Sequence, residues 1–196
     1  FNAAGDLQKG WQTLDGKRCY FDEATGVQLT APGWQTIGGA QYYFSAEGYA
    51  LTGDVEIDGV LWHLDAATGA TYPNGWNTIN GQIFYYEYGA YLKNGLYEIG
   101  GKLCHFTAEG YYVSPPVINN VLYTANGSTA KVTVTATASA LTALHEAAYS
   151  WDGGATWTAQ AAKDFPINTQ IAAGQIQVRD ALGNVSVYSS AIKLEP

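Results

Sequence analysis

The chain has 196 residues, with fifteen Tyr, six Trp and 23 Gly but only 13% charged residues. That composition suits short strands and tight turns rather than long helices, which favour Ala, Leu, Glu and Lys. Its net charge of -8 is concentrated in the first 113 residues, which carry twelve Asp and Glu against five Lys and Arg. An acidic half argues against nucleic acid, whose binders gather Lys and Arg against phosphates. It fits a neutral or cationic partner, or serves solubility alone. No apolar run reaches the roughly 18 residues of a membrane span, and the absence of Met makes Phe1 read as the start of a processed or truncated chain.

Five units follow one another from Gly10. The first two read Gly10-Trp11-Gln12-Thr13-Leu14-Asp15-Gly16 and Gly33-Trp34-Gln35-Thr36-Ile37-Gly38-Gly39, and the leading glycine returns at Gly53, Gly75 and Gly95. Six positions on from each comes Asp-Gly, Gly-Gly or Asn-Gly (Gly16, Gly39, Gly59, Gly81, Gly101), the residues a two-residue hairpin turn at positive φ requires. After the turn stands an aromatic-rich triplet: Cys19-Tyr20-Phe21, Tyr42-Tyr43-Phe44, Trp62-His63-Leu64, Phe84-Tyr85-Tyr86 and Cys104-His105-Phe106. A second glycine turn follows (Gly26, Gly48, Gly69, Gly89, Gly110), then an apolar residue three positions later. Each unit predicts a β-hairpin that cannot bury its apolar face alone and must stack on its neighbours. The boundaries are 10–32, 33–52, 53–74, 75–94 and 95–113, within a first domain of residues 1–113.

After Ser114-Pro115-Pro116 the repeat ends and the composition turns to Thr, Val and Ala, which marks a domain boundary and a second domain over 114–196. Lys131–Thr137 alternates cleanly, and 148–151, 175–179 and 185–188 read as further short strands, at a spacing that predicts a β-sandwich. Ser150-Trp151-Asp152-Gly153-Gly154-Ala155-Thr156-Trp157 matches the Asp-box pattern, in which an Asp accepts backbone N–H bonds across a turn, a device folding explains by itself.

The pattern Gly-Trp-Gln-Thr-Ile/Leu-x-Gly-x-x-Tyr-Tyr-Phe resembles the cell-wall-binding repeats of choline-binding proteins, glucan-binding proteins and clostridial toxins. The stretch from Ser150 to Trp157, with Val178–Asn184, resembles bacterial immunoglobulin-like or fibronectin-like modules. The resemblance implies an all-β chain: a β-hairpin repeat solenoid followed by an immunoglobulin/fibronectin-like β-sandwich. It also implies ligand pockets between consecutive hairpins, built from the Trp after the leading Gly, a triplet aromatic and an aromatic of the next unit. Carried onto this sequence, the ligand-binding residues are Trp11, Tyr20, Trp34, Tyr42, Tyr43, Trp62, Trp76, Phe84 and Tyr85. Trp34 and Tyr42 would group with the triplet Trp62-His63-Leu64, Trp11 with Tyr20 and Tyr43, and Trp76 with Phe84 would face His105. Such rings suit the trimethylammonium of choline by cation–π attraction and the CH faces of sugars equally well.

Several residues depart from that pattern. Asp54 and Leu96 stand where Trp is expected, Cys19 and Cys104 replace the first triplet aromatic, and His63 and His105 replace the central Tyr. The glycines and turn residues persist in every unit whereas the aromatics do not, so binding should concentrate in units one, two and four. Cys19 and Cys104 lie four stacked units apart, roughly 40 Å, beyond the about 7 Å of a disulfide, and should be free thiols. His63, His105 and His145, the last beside Glu146 in a connecting segment, have no nucleophile or metal-ligand spacing about them, so no catalytic residue, metal or cofactor is expected.

The function implied is that of a noncatalytic attachment module of a secreted bacterial protein, extracellular and cell-wall associated, with teichoic acid choline or a polysaccharide as partner. The alternatives are a structural stalk or adhesin segment with buried aromatics, or the accessory tail of an upstream cell-wall enzyme. No nucleic-acid partner and no membrane span are expected.

Overall fold

The computed structural model describes residues 7–196, so the first six residues of the expected 1–113 domain lie outside the described residues. Every glycine-pair turn foreseen in the sequence closes a hairpin. β1 (Gly10–Leu14) pairs with β2 (Lys17–Phe21), β3 (Gly33–Ile37) with β4 (Ala40–Phe44) and β5 (Gly53–Ile57) with β6 (Val60–Leu64). β7 (Gly75–Ile79) pairs with β8 (Gln82–Glu87), which also carries β9 (Ala90–Tyr91), and β10 (Gly95–Ile99) pairs with β11 (Lys102–Phe106), which carries β12 (Tyr112–Val113). At the first turn Asp15 has φ 49° and Gly16 φ 76°, the doubly left-handed geometry whose twist matches the flanking strands.

The connectors differ, which accounts for the alternation of long and short units. In units one and three Asp22 and Asp65 each accept hydrogen bonds from the backbone and hydroxyl of a Thr three residues on, Thr25 and Thr68. These bonds hold both carboxyls below the usual carboxylate range. In unit two Ser45 receives the turn, and in unit four a tight Tyr88-Gly89 turn takes its place. Each connector runs back to the preceding hairpin: Ala50 N donates to Arg18 O at 2.8 Å and Thr71 N to Gln41 O at 2.9 Å. Stacking buries Phe44, Tyr42 and Ala50 against Trp11, Tyr20, Leu29 and Ile37, while Ile57, Leu64 and Tyr86 are buried in the later units.

The chain forms two compact units, one ending at Leu92 and the other running from Lys93 to Pro196. This division differs from the boundary read at Ser114-Pro115-Pro116. Pro116 and Val113 are buried, Ser186 Oγ donates to the Pro116 carbonyl, and His105 Nδ1 meets Asn184 Oδ1 at 2.8 Å. The fifth hairpin therefore packs as part of the second unit, and the two prolines do not act as a free linker.

The rest of the second unit comprises β13 (Val117–Asn126), β14 (Thr129–Thr137), β15 (Leu144–Ser150), β16 (Ala162–Pro166), β17 (Gln170–Ile171), β18 (Gln177–Asp180), β19 (Val185–Val187) and β20 (Ile192–Lys193). They form three small antiparallel sheets, ordered β13-β14-β16, β15-β18-β19 and β17-β20, about one apolar core that includes Val132, Val134, Trp151, Ile171, Ile176, Val178 and Leu194. Alternation on β14 turns Ala130, Val132 and Val134 inward, as its sequence requires. His145 lies within β15 and not in a connecting segment; it follows Leu144, which pairs with Asp180. The Asp-box is a turn: Asp152 Oδ1 accepts from Ser150 Oγ and Thr156 N, and these bonds lower its carboxyl from 3.8 to about 2. The described residues are all-β, and no helix is long and apolar enough to cross a membrane.

Candidate functional site: aromatic cages between hairpins

Hairpin register decides which aromatics can meet. Trp11 is the direct cross-strand partner of Tyr20, Trp34 of Tyr43 and Trp76 of Tyr85. Successive residues of a strand point to opposite faces, so the first residue of each triplet faces away from its own hairpin's Trp. In Tyr42 and Trp62 it reaches the Trp of the preceding unit. Trp11 stands 5.3 Å from Tyr20 and 4.5 Å from Tyr42 between ring centroids. Trp34 stands 5.1 Å from Tyr43 and 4.4 Å from Trp62.

Two three-ring cages result, Trp11–Tyr20–Tyr42 and Trp34–Tyr43–Trp62. The two tyrosines are exchanged relative to the grouping expected from the sequence, which placed Tyr42 with Trp34 and Tyr43 with Trp11. Alternation of faces is the reason. In the fourth unit Trp76 pairs with Tyr85 at 5.0 Å and is 47% exposed. Phe84 does not join Trp76: it is opposite Asn77 in register and packs on Tyr91 at 5.2 Å.

At the third unit the aromatic pair gives way to an ion pair. Asp54 and His63 occupy the cross-strand positions that Trp and Tyr hold elsewhere, and their side chains bond directly. His63 is only 9% exposed and lies 3.9 Å from the Tyr91 ring. The imidazole thus fills the junction between the third and fourth hairpins with an internal contact.

The first cage contains a cation of its own, which the aromatic pattern gave no reason to expect. The Arg18 guanidinium lies over the Trp11 ring, 4.4 Å from its centroid. Its Nη1 donates to Ala67 O at 3.3 Å, and its Nε is buried without a hydrogen-bond partner among the described residues. Arg18 and Tyr20 are two apart on β2 and share a face, so an Arg immediately before the triplet is directed at the cage. The equivalent residue of the second unit is the uncharged Gln41. That one-position difference separates the two cages chemically.

Trp62 is held from behind by backbone. Gly89, at φ 82°, approaches it so closely that a Cβ there would sit 1.6 Å from a ring carbon. Cys19 and Cys104 are free, buried thiols, and burial raises the pKa of both. The remaining histidines are also engaged locally, His145 Nδ1 accepting from Ala147 N at 2.9 Å.

Residues 31–76, the second and third hairpins, match the choline-binding repeat family. Among solved structures, choline binding protein F of Streptococcus pneumoniae is 26% identical with a TM-score of 0.43, over 63% of this chain and 42% of its own. CbpJ of the same organism is 26% identical with a TM-score of 0.42, over 62% and 41%. The modular autolysin LytC, also pneumococcal, is 22% identical with a TM-score of 0.33, over 64% and 31%. The chain thus spans under half the length of these proteins. Comparison with curated protein sequences gives no match.

Proposed function

We propose that the chain is a noncatalytic attachment module of a secreted bacterial protein, which holds the trimethylammonium group of choline in a cell-wall polymer such as teichoic acid. The residues that do so are Trp34, Tyr43 and Trp62. The observation that carries this reading is the convergence of two indoles and a phenol from adjacent hairpins, at 4.4 and 5.1 Å from Trp34, within the segment that matches the choline-binding repeat family. A quaternary ammonium has no hydrogen to donate, so aromatic faces and apolar contact are its means of recognition. Three faces at about 0.5–2 kcal/mol each supply about 2–6 kcal/mol, which brackets the about 4 kcal/mol of a millimolar Kd. Single-site binding is thus weak, and firm attachment relies on many choline groups along one polymer.

The noncatalytic role is supported by the engagement of each histidine with a structural partner: His63 with Asp54, His105 with Asn184 and His145 with Ala147. The sheets of the second unit we read as an immunoglobulin- or fibronectin-like spacer. NMR titration with choline chloride, with ethanolamine as the control that lacks the methyl groups, tests the binding reading. Saturable choline binding that Trp34→Ala abolishes supports it; no choline response from the folded protein refutes it.

A further inference from the structure

The turn that closes the fourth unit carries a residue ill-suited to it. Among the described residues, the other non-glycine positions at positive φ are Asp15, Asp58, Asn80, Asn94 and Asn168, whereas Tyr88 adopts φ 52° with an aromatic side chain. Asn and Asp tolerate this region through their short polar side chains; a bulky residue there is a strained outlier. Such strain persists where the surroundings hold it, and it clusters at functional positions. Nor does burial offset the strain, because Tyr88 is 83% exposed. The turn is held by Asn74, whose Oδ1 accepts from Tyr88 N–H at 2.9 Å, and by the close seat of Gly89 on Trp62.

Beside this turn lies a pocket of about 360 Å³ lined by Gln41, Trp62, Tyr72, Asn74 and Tyr88 among others, with no charged side chain in its lining. The neutrality matters in a chain of net charge -8. A phosphate would find no cation here, and an ammonium group no carboxylate and no use for the amides. Exposed phenol and indole surface can lie against CH groups, while the Gln41 and Asn74 amides offer donors and acceptors to hydroxyls. The Tyr72 hydroxyl is already oriented, donating to Asp65 Oδ2 at 3.1 Å, so its oxygen is left as an acceptor. A small set of placed polar groups on an aromatic floor is what orients a ligand in a specific pocket.

We propose that this pocket is a second binding site, for a neutral pyranose unit of a glycan, with the strained Tyr88 as its exposed platform. It shares Trp62 with the Trp34 cage but takes a different chemical class, and it does not depend on the cage binding choline. The module then reads a sugar and a cationic substituent at neighbouring points.

The test titrates the whole chain with neutral trisaccharides of glucose and of N-acetylglucosamine, following the Trp62 indole and Gln41 and Asn74 amide resonances by NMR, for wild type and Tyr88→Gly. Glycine accepts the left-handed backbone, so the turn is retained. At least one trisaccharide should shift all three resonances in wild type. Tyr88→Gly should weaken that binding at least tenfold, with no loss of melting temperature and unaltered choline binding. The proposal is overturned if no trisaccharide binds, or if the Gly variant binds as well as wild type. Choline binding without sugar binding would overturn this site alone; sugar binding without choline binding would overturn the cage reading and leave this site standing.

Discussion

Replacing Arg18 by Gln copies the second unit's residue into the first and should convert a filled cage into an open one. The guanidinium lies 4.4 Å from the Trp11 centroid, where a bound trimethylammonium would otherwise sit. Its removal forfeits a cation–π contact worth about 0.5–1 kcal/mol at a partly exposed site and a long hydrogen bond to Ala67 O worth about 0.5–1.5 kcal/mol. Against this, it relieves a buried, unpaired Nε, a burden of about 1–3 kcal/mol. The opposing terms are of one size, so Arg18→Gln should change stability by about 1 kcal/mol or less, a few degrees in Tm for a unit of this length. Binding, in contrast, should change in number. In a choline titration followed by indole N–H resonances, Trp34 and Trp62 should respond in wild type while Trp11 stays still. In Arg18→Gln, Trp11 should respond as well. The reasoning fails if Trp11 responds in wild type, or stays still in a folded Arg18→Gln variant.

Gly89→Ala forces a Cβ into the Trp62 ring at a left-handed φ, so it should destabilise the first unit by about 2–5 kcal/mol, combining overpacking and backbone strain. A lowered urea midpoint together with weakened choline binding would show it. The Asp152 carboxyl is held at about 2 against an ordinary 3.8, so its contribution to folding is complete above about pH 4 and is lost as pH falls toward 2. Thermal melts of wild type and Asp152→Asn should therefore differ at pH 6 and converge near pH 2; a constant gap would refute the assignment. Cys19 and Cys104 are buried with raised thiol pKa values, so at pH 8 an aromatic disulfide reagent should titrate both only after denaturant is added, and fast reaction in the native protein would contradict their burial.

The hairpins were legible because their turns are written in residue chemistry. Asp15-Gly16, Asp58-Gly59, Asn80-Gly81 and the two Gly-Gly pairs all adopt the positive φ those residues favour. The cages were legible in membership and not in grouping: Trp11, Tyr20, Tyr42, Trp34, Tyr43 and Trp62 do converge, yet adjacent tyrosines had been assigned to the wrong neighbours. The period of two along β4 contained that answer, since Tyr43 lies across from Trp34 and Tyr42 must then face the other way. Arg18 over Trp11 and the Asp54–His63 pair depend on side chains from separate strands or units, which a repeat consensus averages away. In the second unit, β13 and β16 went unread because their sequences, Val117–Asn126 and Ala162–Pro166, mix exposed apolar and polar residues without clean alternation.

The residue before each triplet has a freedom that the rest of the unit lacks. The turn glycines answer to backbone geometry and the buried triplet members to packing, but Arg18 and Gln41 stand on equivalent positions of hairpins that fold alike. Glutamine and arginine codons can differ by a single base. An array of such hairpins could therefore retire a cage, or bring one back into service, by one substitution that leaves the stack intact, so the number of sites can drift within a lineage while the number of repeats stays fixed.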